Sequence, residues 1–409
     1  MQCHHFDAGE CRSCTLLPLP RTRQVQEAGA RIRELLSPFV DPAAGAATGD
    51  VWGPPVLGAE SGFRARGKMA VSGTAQEPVL GLPGQAEGAD LCDCPLYPAG
   101  VEAVLEGVKA LVRRAQVPPY SVARRRGELK NVLVTASPDG EHVVRLVLRT
   151  DAALGRIREH LPRLLEEHPS IVAVSANLHP EHTTRVEGEE EVPLWGAASI
   201  GVRTGDVVLR ARPRSFLQTH TEVAGQLYRQ GAAWIAEALA DAGTSPEPTA
   251  PGPRVWDLYC GLGGFALHTA LAAPTARITG VEATPEAIDG AREAAAAHGL
   301  PVTFLADDAT AWARREAEGP EGPPDAAIVN PPRRGIGPEL AGWLEGSGVA
   351  DVVYSSCNPA TLAADLAAMP SLRIVAARYV DMFPHTEHAE VIVRLRRTPT
   401  AVPSPKDPR

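Results

Sequence analysis

The chain contains no run of about 18 apolar residues, so it offers no candidate membrane-spanning helix. Its first residues, MQCHHFDAGECRSC, also lack an apolar stretch, so a secretory signal is not expected and a cytoplasmic protein is. A basic excess is missing as well, because the formal net charge is -9 over 409 residues. That weighs against non-specific binding to nucleic acid, which needs Lys and Arg against phosphate. Internal repeats are absent, and the length suggests two domains with a small appendage.

The average charge hides a segregation. Basic residues gather between Arg113 and Arg163, with Arg124, Arg125 and Arg126 in succession. Arg203, Arg210, Arg212 and Arg214 follow, while acids gather elsewhere, as in Glu187 to Glu191. Cysteine is scarce and uneven: Cys3, Cys11, Cys14, Cys92, Cys94, Cys260 and Cys357. In a reducing compartment such residues are ligands or nucleophiles more often than disulfides.

The pattern changes three times along the chain. Residues 1–95 read as a Cys-rich head followed by Ala-, Gly- and Pro-rich extended segments. Residues 96–205 mix helical periodicity, as in VEAVLEGVKALVRRA, with strands, as in LKNVLVTASPDGEHVVRLVLRT around a Pro-Asp-Gly turn. This predicts an α+β central domain with an antiparallel sheet. From 206 to 397 a long helix and a Pro-rich connection at 241–254 precede strands alternating with helices. That predicts an α/β, doubly wound, Rossmann-like domain with a terminal hairpin. Residues 398–409 read as a disordered tail.

The strand ends of that last domain carry the chemistry. In WDLYCGLGGFALHTA a strand runs into Gly261, Gly263 and Gly264 and then into a helix, a geometry that lets backbone approach a ligand. Glu282 ends the next strand and suits a ribose diol. The spacing permits a dinucleotide or S-adenosylmethionine. The third glycine of the dinucleotide pattern is replaced by Ala266, and Asp257 ahead of the loop favours the methyl donor. IVNPPRRGIG puts Asn330 at the end of another strand. An amino-methyltransferase would want an aromatic after Pro332, whereas Arg333 and Arg334 suit phosphate.

DVVYSSCNPATL then places a thiol, Cys357, at the tip of a further strand on the same sheet edge. A thiol beside a methyl donor suggests nucleophilic catalysis. Carbon 5 of uracil is a poor nucleophile until a thiolate adds at carbon 6. A base must afterwards remove the carbon-5 proton, and Glu390 in FPHTEHAEVIVRL offers one.

The segments SFLQTHTEVA, DLYCGLGGF, VNPPRRG, YSSCNPATLAADL and FPHTEHAEVIVRL together resemble the RNA uracil-C5-methyltransferase family over about residues 215–395. The resemblance implies S-adenosylmethionine as donor, Cys357 as nucleophile and Glu390 as base. It also implies Gln218, Tyr259, Gly261, Glu282 and Asn330 as cofactor-pocket residues, with contact to the target base left open for Gln218.

The head is similar to that of the ribosomal-RNA branch, which implies a [4Fe–4S] cluster on Cys3, Cys11, Cys14 and a distant fourth cysteine. The DCPLYP context selects Cys94, with Cys92 as the alternative, and His4 and His5 read as flanking residues. Four thiolates suit iron–sulfur or zinc; the resemblance selects iron. With a first ligand at residue 3, no N-terminal RNA-binding barrel is expected, which points to the compact branch that acts on 23S ribosomal RNA. The expected partner is therefore 23S rRNA, with no membrane or obligate protein partner and a monomeric state. Alternatives are uracil methylation of tRNA, or amino-methylation through the Asn-Pro-Pro loop.

Overall fold

Short Val-, Ile- and Leu-rich runs become strands throughout the computed structural model, which describes residues 1–44, 50–82, 88–183, 185–243 and 251–398. The middle of the predicted 241–254 connection and the predicted tail beyond Thr398 lie outside the described residues. No helix among the described residues is long and apolar enough to cross a membrane.

The chain divides into two units. The first comprises Met1–Pro18, Gly58–Ala224 and Pro384–Thr386. Its sheet is built from β1 (Arg66–Gly73), β2 (Pro78–Gly81), β3 (Leu129–Ala136), β4 (His142–Leu148), β5 (Ile171–Leu178) and β6 (Glu190–Gly196). The order is β2-β1-β3-β4-β5-β6, antiparallel except for β4 and β5. The exception has a simple cause: helix Leu154–Glu167 carries the chain back between them, as a parallel pair requires. That helix and Val101–Ala115 bury Val104, Leu105, Ile157 and Leu164 against the sheet. β7 (Ile200–Thr204) and β8 (Val207–Ala211) form a separate hairpin.

The second unit comprises Leu19–Leu57, Gly225–Phe383 and the chain from Glu387. Its strands are β9 (Arg254–Leu258), β10 (Arg277–Glu282), β11 (Val302–Ala306), β12 (Ala326–Val329), β13 (Asp351–Ser356), β14 (Leu372–Val380) and β15 (Glu390–Arg397). They lie in the order β11-β10-β9-β12-β13-β15-β14; the first five are parallel, and β15 is antiparallel to both its neighbours. The sheet is doubly wound with a terminal hairpin, as the alternation of strands and helices predicts. The order reverses at β9, and in such sheets ligands bind beside that reversal, at the carboxyl ends of the strands.

Composition alone divides the chain differently: the Cys-rich start and the central domain share the first unit, which also takes in residues 206–224 and Pro384–Thr386 from the expected last domain. Residues 19–57 belong with the second unit rather than with a head domain. Helix Arg21–Leu36 buries Ala28, Ile32 and Leu36 in the core around Trp256, Val352 and Leu395. The segment after it pairs as an edge, Trp52 with Ala377 and Val56 with Val380.

Candidate active site

The glycine loop after β9 is set by three different constraints. Gly263 has φ 81°, and a Cβ there would lie 2.6 Å from the Phe304 ring. A Cβ on Gly264 would lie 2.4 Å from the Tyr228 ring. Gly261 has φ 53°, but open space surrounds its Cβ position. Packing therefore requires the later glycines, while Gly261 leaves room against exposed backbone. Tyr259 holds φ 62° without being glycine, a strained conformation that clusters at ligand sites. Its hydroxyl lies 3.3 Å from that of Thr310.

Asp257 on β9 is fully buried, and the Ala266 amide donates to its Oδ2 at 2.9 Å. Its Oδ1 has no hydrogen-bond partner among the described residues. Burial, partly offset by that amide and reinforced by Glu282, pushes the carboxyl up to about 8. Glu282 ends β10 half-exposed, with the Thr284 amide donating to Oε1 at 2.9 Å. Asn330 follows β12 and donates its amide to the Leu258 carbonyl at 3.3 Å. An open glycine, an unfilled buried acceptor and an acid at the next strand end fit a nucleoside-bearing donor that presents hydroxyls and an amine.

One strand further, β13 pairs with β15 so that Ser356 faces Val391 and Ser355 faces Ile392. Continuing this register by one residue sets Cys357 opposite Glu390. Glu390 is 1% exposed, and the Ser355 hydroxyl donates to its Oε1 at 2.7 Å. Burial pushes Glu390 up to about 7, with Ser355 pulling against it. Cys357 is half-buried; burial and then Glu390 raise its thiol above the ordinary value, and Arg333 opposes them.

The thiol-bearing turn is fixed to the Asn330 loop. Asn358 caps helix Pro359–Ala367, its Oδ1 accepting from the Ala360 amide at 3.2 Å. The Asn358 side-chain amide and the Thr361 hydroxyl both donate to the Arg333 carbonyl, at 3.1 and 3.2 Å. Asp365 gathers the Tyr354 hydroxyl at 2.7 Å and the Ile336 and Gly337 amides at 3.0 and 3.3 Å. Sequence reasoning missed Asp365 and Ser355, since neither residue type signals a role until its partner is known. Gln218 is buried in the first unit, whereas Tyr259, Gly261, Glu282, Asn330, Cys357 and Glu390 all lie in the second.

In the first unit the head thiols gather. Burial pushes Cys14 up to about 11, followed by its neighbours Cys94, Cys11 and Cys3. Burial also raises Cys94, which feels Cys3 and Cys11. Cys92 instead faces Asp90, Lys109 and Glu106. His5 bonds Glu10 Oε2 at 2.8 Å and Asp93 Oδ1 at 2.7 Å, and His4 reaches Asp93 Oδ2 at 3.0 Å. Both histidines thus hold the first turn to the segment that carries Cys94.

A basic tip also stands out on this unit. The chain doubles back between Tyr120 and Leu129, with the Ser121 amide donating to the Arg126 carbonyl at 2.8 Å. Gly127, at φ 106°, permits the turn, because a Cβ there would lie 2.0 Å from the Pro119 carbonyl oxygen. Arg124, Arg125 and Arg126 are exposed at the tip, and their side chains have no ion pair or hydrogen bond among the described residues.

The strand order, the glycine loop and the acid at the second strand end define an S-adenosylmethionine-dependent methyltransferase domain. Residues 255–328 match the model of a methyltransferase domain, and residues 324–398 match that of tRNA (uracil-5-)-methyltransferases. The 23S rRNA (uracil(747)-C(5))-methyltransferase of Shewanella loihica is 43% identical over 97% of this chain and 99% of its own length. That of Escherichia coli O127:H6 is 41% identical over 97% and 99%. The Pyrococcus abyssi tRNA (uracil-54, C5)-methyltransferase structure, with S-adenosyl-L-homocysteine, has TM-score 0.72 at 22% identity, covering 94% of this chain and 85% of that one; it shares the fold. The chain belongs to the 23S rRNA (uracil(747)-C5)-methyltransferase family of RNA uracil-C5-methyltransferases, and it is an enzyme of that kind.

Proposed function

We propose that this enzyme methylates carbon 5 of a uridine in 23S rRNA through a covalent bond between Cys357 and carbon 6. One observation carries the reading: the β13–β15 register sets Cys357 opposite a buried Glu390, at the sheet edge where Asn330 and the glycine loop also end. S-adenosylmethionine supplies an electrophilic methyl group. Tyr259, Gly261, Glu282 and Asn330 would hold it, with Glu282 at the ribose and Asp257 accepting a donor group. Gln218 would serve the cofactor or the base.

The target base must leave its stack, since carbon 6 is shielded inside a helix. The Cys357 thiolate adds to carbon 6, and carbon 5 becomes nucleophilic and takes the methyl. Glu390 then removes the carbon-5 proton, and the thiol departs. Fragments of 23S rRNA incubated with enzyme and S-adenosylmethionine, then digested to nucleosides, should yield 5-methyluridine. A methylated adenosine instead would overturn the assignment.

The head is read as a [4Fe–4S] site on Cys3, Cys11, Cys14 and Cys94. Thiolates of this number suit such a cluster, and it would tie the first residues to the distant Cys94 segment. Cys94, Cys11 and Cys3 all act on Cys14, and Cys3 and Cys11 act on Cys94, whereas Cys92 feels Asp90, Lys109 and Glu106, which supports Cys94 over Cys92. Cys94→Ala should lose iron, sulfide and visible absorbance, whereas Cys92→Ala should keep them. Equal loss in both variants would contradict the ligand set.

The tip at Arg124–Arg126 is read as an RNA-phosphate contact, because three unpaired guanidiniums stand exposed together on one turn. Replacing all three with Gln should raise the KM for RNA about tenfold. It should also flatten the salt dependence of log affinity by about 0.7 for each phosphate that is no longer neutralised. An unchanged salt slope would remove the tip from the interface.

A further inference from the structure

The proposed chemistry leaves one buried hydroxyl unassigned. Ser355 is 0% exposed and donates to Glu390 Oε1 at 2.7 Å. It is the sole hydrogen-bond donor to that carboxylate among the described residues. Alternation along β13 decides its face. Tyr354 points to the opposite face, where it bonds Asp365, while Ser355 shares the face of Cys357 two residues on.

The titratable groups around Glu390 come from three elements. Cys357 faces it from the end of β13, and Tyr228 lies near it on helix Thr221–Asp241, a hydroxyl that also feels Asp257 of β9. Arg333 of the Asn330 loop acts on Cys357. No cation pairs with Glu390 among the described residues, so burial works against its anion and the Ser355 hydroxyl is what opposes burial.

We propose that Ser355 is the positioning residue for the proton-abstracting carboxylate, fixing Glu390 Oε1 so that Oε2 meets the carbon-5 proton. The inference rests on the methylation reading above. In the step concerned, the C5–H bond breaks and its proton goes to Glu390. The C5–H electron pair forms the C5=C6 double bond, and the C6–S pair returns to Cys357 as thiolate. Ser355 acts on this elimination and on neither the thiol addition nor the methyl transfer.

The test compares the full-length protein with its Ser355→Ala and Ser355→Thr variants. With unsubstituted 23S rRNA fragments and S-adenosylmethionine, Ser355→Ala should turn over about 10- to 160-fold more slowly, the range for losing a hydrogen bond to a charged group. A methylated protein–RNA adduct should build up on denaturing gels. The apparent pKa in the kcat–pH profile should rise, and Ser355→Thr should restore rate and profile. RNA carrying 5-fluorouridine, which stops the reaction before proton removal, should trap Ser355→Ala as fast as the unaltered protein. The proposal is overturned if trapping and turnover slow equally, if Thr fails to restore what Ala loses, or if Ala changes nothing. Failure of the unaltered protein to trap would strike the methylation reading instead.

Discussion

Cys357→Ala should lower methyl transfer by more than about a thousandfold while leaving S-adenosylmethionine affinity within about twofold. The asymmetry follows from position. Cys357 stands past the end of β13, is partly exposed, and is not among the side chains that bond the Asn330 loop. Asn358 and Thr361 hold the Arg333 carbonyl without it, and Asp365 holds Ile336 and Gly337. Losing one sulfur at this site removes little packing, so the melting temperature should move by a few degrees at most. Calorimetric titration with the methyl donor, beside a nucleoside assay, checks both halves. A variant that still methylates would eliminate the thiol adduct.

Glu390→Gln should produce a different failure. Addition and methylation precede the need for a base, so the variant should take up one methyl group per protein and stall as a covalent protein–RNA complex. Turnover should fall by about 10²–10⁴, the range for losing a general base. The unaltered enzyme should show a related pH dependence. The base must be ionised, and burial holds Glu390 at about 7, so kcat should rise with pH through that value and fall up to tenfold per unit below it. Stability runs the other way. An unfolded glutamate ionises near about 4.3, so between there and about 7 the folded state binds more protons, and folding weakens as pH rises. Asp257, pushed up to about 8, extends the trend. Optimal activity and maximal stability should therefore fall at different pH values. Coincident maxima in rate and melting profiles would contradict the buried-base account.

Much of this site is legible in the sequence because its chemistry sits on punctuation. Glycines, prolines and a lone thiol interrupt apolar runs at strand ends, and parallel strands bring those ends to one edge. Gly261, Glu282, Asn330 and Cys357 could be placed in this way. Glu390 required more, since it begins a strand rather than ends one. It reaches the same edge because β15 runs antiparallel and inserts between β13 and β14, a long-range pairing that no local pattern announces. Ser355 and Asp365 were hidden for the same reason, as each matters through a partner distant in sequence or fixed by register.

The boundary after residue 18 was hidden by composition. Helix Arg21–Leu36 follows a Cys-rich start, yet Ile32 and Leu36 are buried in the core of the α/β unit. Periodicity shows that such a helix has an apolar face, and only packing shows which core receives it.

The most direct test of the central claim uses the unaltered protein, S-adenosylmethionine and 23S rRNA fragments carrying 5-fluorouridine. Fluorine cannot be abstracted as a proton, so the intermediate cannot collapse. The account predicts a denaturation-resistant protein–RNA complex whose peptide map places the bond on Cys357, with the methyl already on carbon 5. Methylation without any trapped complex, or a bond on another residue, would contradict it.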